Sequence, residues 1–345
     1  MSDRSRSCAR RMSIDMPDEP HTSISFIVPV RNDAARLRRC LMSIRRQVGH
    51  PADRLEIIVA DNGSTDGSDA VGLEAGAKVL RLPDLRVAAL RNRAVEAARG
   101  DVIAFVDADH EIDEAWVASA IDTLRGPAVA AAGAPYDGPP DSTWVQRQYD
   151  RLRRRQAGVG ETDWIGSGNI ALWRHAFMDA GGFDTRLETC EDVDLCQRLR
   201  ARGARVMSDA RMRSTHFGDP ATLRELFRGE LWRGRDNLRV SLRPPLAVRN
   251  LVGVGVTMLE LLLVACALVG AVTIAAGGWV YLLVGITGIA ALTALQSIRM
   301  LRNRTIRAAD LVQTPLVAGV YGIARALALV FRMPHQFRQG ARPRV

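Results

Sequence analysis

Apolar and polar positions alternate along the first two thirds of the chain in two periods. Ser25–Val30 (SFIVPV), Leu55–Ala60 (LEIIVA), Lys78–Leu82 and Val102–Val106 (VIAFV) are short, nearly continuous apolar runs. Between them Asp33–Gln47 carries Leu37, Leu41 and Ile44 at helical spacing, and Leu85–Arg99 reads the same way. Strand and helix in turn, with strands apolar on both faces, predict an α/β fold whose mostly parallel sheet is flanked by helices. Beyond Pro244-Pro245 the pattern changes. From Leu251 to Ile298, 48 positions hold one charged residue, Glu260. Leu251–Ala276 as a helix would run roughly 39 Å, longer than the roughly 30 Å hydrocarbon core of a bilayer. A break at Ala275-Ala276-Gly277-Gly278 precedes a second run, 279–298, opened by Trp279 and Tyr281, residues suited to a membrane interface. The pattern predicts a transmembrane hairpin, so the domains expected are a basic arm at 1–23, an α/β domain at 24–245 and a membrane region at 246–345.

Arginines flank the hairpin at Arg243, Arg249, Arg299, Arg302, Arg304 and Arg307, while its turn is uncharged, which predicts a multi-pass inner-membrane protein with the α/β domain in the cytoplasm. A third apolar stretch, 311–331, contains Arg325 and is followed by Arg332, Arg338, Arg342 and Arg344; it reads as an interfacial or re-entrant helix ahead of a third span. Glu260 within the first span needs a partner or a wet groove. Pairing with Arg325, a place on the acceptor's access path, and a protonated carboxyl are all open. Residues 1–23 hold Arg4, Arg6, Arg10 and Arg11 without an apolar segment and predict a disordered arm. Five cysteines without a C-x-x-C pair predict reduced thiols and no structural zinc.

The 345 residues carry 47 basic and 38 acidic side chains, a net +9, and Lys78 is the single lysine. That balance points to an anionic partner. The lone lysine excludes a phosphate-binding G-x-x-x-x-G-K-[ST] loop, and no G-x-G-x-x-G follows the first strand. In parallel sheets ligands bind beyond the carboxyl ends of strands. There stand Arg31-Asn32-Asp33, Asp61-Asn62-Gly63-Ser64-Thr65-Asp66 and Asp107-Ala108-Asp109. Acidic clusters converging on one sheet edge suit a hard divalent cation such as Mg2+ or Mn2+, whose remaining positions take a diphosphate.

Pro29-Val30-Arg31-Asn32, Asp61 to Asp66, Arg91-Asn92, Asp107-Ala108-Asp109, Gly181-Gly182-Phe183-Asp184 and Glu191-Asp192-Val193-Asp194, in that order, resemble the signature of family 2 glycosyltransferases with the GT-A fold, over roughly residues 24–235. The resemblance implies that Pro29, Arg31 and Asn32 frame the base and ribose, and that Asp61 accepts from the base; Asp61 also suits an Asx-turn shaping its own loop. It implies Arg91 and Asp107 near the nucleotide and its phosphates, and Asp107, Asp109 and His216 as metal ligands. Asp192 matches the catalytic base, since a sugar hydroxyl needs its proton removed as it attacks. Trp164, Gly166, Gly168, Glu191, Trp232 and Arg233 would line the donor and acceptor pocket. Processive members carry Q-x-x-R-W; here Arg228-Gly229-Glu230-Leu231-Trp232 keeps only the tryptophan. With two spans, too few for a polymer channel, one sugar per encounter is expected.

The resulting expectation is a membrane-anchored, metal-dependent, inverting, non-processive transferase. It would use a nucleotide sugar, UDP by family habit, and a lipid or lipid-linked saccharide acceptor, in cell-envelope polysaccharide or glycolipid synthesis. The charge is then absorbed by diphosphate and lipid, with no nucleic-acid partner. Two alternatives are weighed. A sugar nucleotidyltransferase would need a glycine-rich first loop that Val28–Arg36 lacks, and a silent scaffold would be marked by loss of Asp107, Asp109 or Asp192, all present.

Overall fold

The computed structural model describes residues 22–153, 158–244, 246, 248–302 and 305–331. The expected basic arm up to residue 21, Cys8, Arg304 and the tail arginines from Arg332 onward lie outside them.

The strands are β1 (Ile24–Val30), β2 (Leu55–Asp61), β3 (Lys78–Arg81), β4 (Val102–Val106), β5 (His110–Ile112), β6 (Val129–Gly133), β7 (Val159–Glu161), β8 (Asn169–Trp173), β9 (Arg205–Asp209) and β10 (Ser214–His216). The helices are α1 (Ala34–Arg45), α2 (Ser68–Glu74), α3 (Val87–Glu96), α4 (Trp116–Leu124), α5 (Trp144–Arg153), α6 (Arg174–Asp179), α7 (Glu191–Ala201), α8 (Leu223–Arg233), α9 (Asn237–Ser241), α10 (Val248–Val272), α11 (Trp279–Leu301) and α12 (Asp310–Leu327). Two compact units emerge: the described residues of Met1–Asp137, Arg155–Arg186 and Glu191–Phe217, and those of Gly138–Arg154, Leu187–Cys190 and Gly218–Val345.

In the first unit eight strands form one sheet in the order β3-β2-β1-β4-β8-β6-β9-β7. The apolar runs read from sequence make its parallel half, β3, β2, β1 and β4. β8 enters antiparallel to both β4 and β6. Phe26, Ile27, Ile58, Val59, Ile103 and Phe105 are fully buried, as expected for strands covered on both faces. A separate antiparallel ribbon, β5 with β10, places His110 directly opposite His216.

The second unit takes α5 and α8 together with the apolar helices, a division that differs from a boundary at residue 245. The reason is a shared core: Val145 and Tyr149 of α5, Leu226 of α8, Met300 of α11, and Val317 and Ala318 of α12. Buried polar groups reinforce it. Asp310 Oδ1 accepts from Gln148 Nε2 at 2.8 Å and from Arg151 Nη1 at 2.6 Å, and Thr314 Oγ1 donates to Gln148 Oε1 at 2.9 Å. Among the described residues α10 and α11 are the two helices long and apolar enough to cross a membrane. They pack through glycine: a Cβ at Gly270 would stand 2.1 Å from Leu282 N, and one at Gly285 would stand 2.5 Å from Ala267 N. Glu260 is buried, and of the three readings left open the pairing with Arg325 does not form. Its carboxylate lies against the backbone of Gly322, where a Cβ would stand 2.3 Å from Oε1, while Arg325 Nη1 is 3.7 Å from Glu230 Oε2. Glu230 is 2% exposed and also accepts from Arg233 Nη1 at 2.9 Å, so this buried carboxylate draws two guanidinium groups.

Candidate active site

The loops after β1, β2 and β3 are stitched into one platform. Asn32 adopts a left-handed φ of 53°, a conformation asparagine tolerates, and its Oδ1 accepts from Thr65 N at 2.8 Å while its own N–H donates to Ser64 Oγ at 3.0 Å. Asn62 Nδ2 donates to Leu85 O, and Leu85 N returns to Asn62 Oδ1. Asp61 ends β2 fully buried. Its Oδ1 accepts from Ser64 N at 2.9 Å, closing the Asx-turn, whereas Oδ2 has no hydrogen-bond partner and has Arg81 Nε 3.6 Å away. A buried carboxylate oxygen without a donor is the feature a base N–H would satisfy. Pro29 lies within β1, paired in register with Ala60, and Arg31 is exposed just beyond it.

The D-x-D residues follow β4 and make different contacts. Asp109 Oδ2 lies 3.3 Å from His216 Nε2 and 4.0 Å from Arg36 Nη1. The β5–β10 ribbon brings in His110, which sequence reasoning passed over. Its ring centroid is 4.6 Å from that of His216, and Tyr136 packs on both rings. One ligand atom each from Asp109, His110 and His216 falls within 4.8 Å of the others. Mixed carboxylate and imidazole donors at that spacing fit a divalent ion such as Mn2+. His110 Nδ1 lies 2.7 Å from Ser214 Oγ, the kind of partner that orients a ligating imidazole. Burial pushes the Asp109 pKa up, but His216 above all, with His110 and Arg36, outweighs it and holds the carboxylate below its usual range.

Asp107 is tied elsewhere: Oδ1 accepts from Arg91 Nη2 at 2.6 Å. A Cβ on Gly168 would stand 3.0 Å from both Asp107 Oδ2 and His110 Nε2, so glycine keeps that side open. Arg91, expected at the nucleotide, is 2% exposed, and its Nη1 donates to Glu191 Oε1 at 2.8 Å.

Asp192 lies in the first turn of α7, half-buried. Its Oδ2 accepts from Ser167 N at 3.2 Å and Oδ1 from Val193 N at 2.8 Å. Burial, then the neighbouring Glu191 charge, pushes its pKa up to about 7. A Cβ on Gly166 would stand 3.8 Å from Asp192 Oδ2 and 3.9 Å from Tyr136 Cε1, which sets the Gly166–Gly168 turn beside both the carboxylate and the imidazole pair. Trp164 is partly buried against the sheet core. Asp194 faces the other way, pairing with Arg198, which also holds the carbonyls of Ala180 and Gly182. Trp232 and Arg233 belong to α8 of the second unit, where Arg233 Nη1 donates to Glu230 Oε1 at 2.9 Å and to Tyr149 Oη at 3.2 Å.

Residues 25–181 match the family model described as glycosyl transferase family 2. The chain is 31% identical over 199 residues to the pre-mycofactocin glycosyltransferase of Mycobacterium tuberculosis, covering 54% of this chain and 41% of the relative. It is 25% identical over 189 residues to the glycosyltransferase AglE of Haloferax volcanii, covering 52% of this chain and 62% of that one. The chain thus spans less than two thirds of these relatives' length. Among solved structures, a mannosyltransferase from Pyrobaculum calidifontis in complex with GDP-Man and Mn2+ superposes with a TM-score of 0.56 at 17% identity, covering 88% of each chain, and shares its fold. Residues 25–181 are thus the part that matches family 2 glycosyltransferases, and the fold is GT-A-like.

Proposed function

We propose that this is a metal-dependent, inverting, non-processive glycosyltransferase anchored in the inner membrane, its catalytic unit on the cytoplasmic side. It moves one sugar per encounter from a nucleotide sugar, UDP-linked by preference, onto a lipid or lipid-linked saccharide of the cell envelope. The observation that carries the reading is Asp192, a carboxylate with a pKa near 7 in the same compact unit as the Asp109–His110–His216 cluster. Arg31, Asn32, Pro29 and Asp61 hold the nucleoside, with Asp61 Oδ2, which has no hydrogen bond of its own, accepting from the base. The acceptor hydroxyl attacks the anomeric carbon while Asp192 takes its proton; the bond to the diphosphate breaks on the opposite face, and the configuration inverts. Asp109, His110 and His216 would hold the metal ion. A Mg2+ or Mn2+ held there would supply positive charge against the diphosphate.

Support for the membrane role is the length of α10 and α11, 25 and 23 residues, and their apolar composition. Anchoring raises the effective concentration of the site toward an acceptor in the same surface. The test is a panel of nucleotide sugars with Mg2+ or Mn2+ and membrane lipid extract, scored for nucleoside diphosphate release and new glycolipid. Release that needs no lipid assigns the acceptor to water or a soluble molecule and refutes the lipid assignment.

A further inference from the structure

One buried guanidinium connects the D-x-D loop to the head of α7. Arg91 Nη2 donates to Asp107 Oδ1 at 2.6 Å and Nη1 to Glu191 Oε1 at 2.8 Å. Ser167 completes the line: its Oγ donates to the same Glu191 oxygen at 3.3 Å, and its N–H donates to Asp192 Oδ2 at 3.2 Å. Asn92, next along α3, fixes the Gly182-Phe183 turn, donating from Nδ2 to Phe183 O at 2.8 Å and accepting from Phe183 N at 3.0 Å. Gly182 takes a φ of 66°, and a Cβ there would press to 2.9 Å on Asn92 Oδ1. The Phe183 ring then lies 5.7 Å from the Arg91 guanidinium. Adjacent residues of one helix thus brace two loops and the start of α7.

An arginine with both terminal nitrogens committed to carboxylates, and 2% exposed, is poorly disposed to grip a phosphate as well. Its planar fork fits two acceptors at once, a geometry lysine cannot copy.

We propose that Arg91 and Glu191 are positioning residues for sugar transfer, holding Asp192 at fixed distance and orientation from the D-x-D loop, and that neither binds the nucleotide. The inference rests on Asp192 being the base. A base displaced by about 1 Å can lose roughly 100-fold in rate, so the effect belongs in kcat. The charged groups around Asp192 are Glu191 on its own helix and Arg91 from α3, with Asp107 beyond Arg91; the loop before β8 contributes the Ser167 N–H. Removing the Glu191 charge therefore makes Asp192 easier to deprotonate, and removing the Arg91 charge makes it harder.

The test uses the full chain in detergent or vesicles, with transfer kinetics across pH and nucleotide binding in Mn2+. Arg91→Lys and Glu191→Gln should each lower kcat roughly tenfold or more while donor KM and nucleotide Kd stay within about threefold. Glu191→Gln should also move the acid limb of kcat/KM to lower pH, and Arg91→Met should move it higher. Glu191→Gln is nearly isosteric and keeps the test open should the Arg91 variants fail to fold. A tenfold rise in donor KM or nucleotide Kd for Arg91→Lys, with kcat retained, makes Arg91 a nucleotide ligand and overturns the proposal. Unmoved pH profiles, with activity lost only in step with folded protein, overturn it as well. An active Asp192→Asn sinks the base reading itself; an inactive one beside unaffected Arg91 and Glu191 variants sinks only the positioning role.

Discussion

His110 and His216 face each other across the β5–β10 ribbon with ring centroids 4.6 Å apart, so pairing of two three-residue strands gathers them with Asp109 into a cluster that could hold a metal ion. Each imidazole comes from a different part of the chain, and the register alone makes them neighbours.

The ribbon gives a first prediction. Ser214→Ala removes the partner of His110 Nδ1 and should weaken Mn2+ binding by roughly 10- to 100-fold, the usual range for a residue orienting a ligand. His110→Ala should weaken it further. Calorimetric Mn2+ titration with nucleotide present is the check; full affinity in His110→Ala would remove His110 from the set.

The base sets the pH dependence. As the proposed base, Asp192 would act only when deprotonated, and burial with the Glu191 charge pushes its pKa up to about 7, above the ordinary carboxylate value. Activity should be full above that midpoint and fall about tenfold per pH unit below it. Asp192→Asn should lower transfer by roughly 10²- to 10⁴-fold with nucleotide binding kept. An acid limb near pH 4 would contradict the raised pKa.

Asp61 Oδ2 gives a third prediction. Asp61→Asn keeps the side chain's shape but can present a donor where an acceptor is needed. Nucleotide affinity should fall by roughly 10- to 100-fold, as for loss of a hydrogen bond to a charged group. Binding measured by calorimetry at unchanged thermal stability separates recognition from folding; unchanged affinity would leave Asp61 with its turn alone.

In the second unit the hairpin depends on close backbone approach. Gly285→Leu should force α10 and α11 apart and lower the melting temperature in detergent, since overpacking costs about 1–3 kcal/mol. Gly253→Leu, where a Cβ meets nothing within 4 Å, should leave it unchanged. Equal melting temperatures for both variants would count against the packing described.

Much of this could be read from sequence where local chemistry determines the structure. β1, β2 and β4 are runs whose burial on both faces leaves no other solution, and the polar residues at their ends mark the site. His110 was not legible because its role depends on which strand pairs with β5, a contact more than a hundred residues away. The same holds for Arg91. Its helix periodicity says nothing about Glu191, and only the folded chain shows both Nη atoms engaged. For Glu260 the sequence left a pair with Arg325 as one of three readings; which one forms depended on Glu230, a buried carboxylate on another helix that takes the arginine.

Single-displacement transfer from a nucleotide sugar to a membrane acceptor should leave its mark on the anomeric configuration of the product. The full chain, incubated with donor, Mn2+ and membrane lipid extract, should yield one glycolipid per nucleoside diphosphate released, with the anomeric centre inverted by NMR. A product of retained configuration, or nucleotide release with no glycolipid formed, would contradict it.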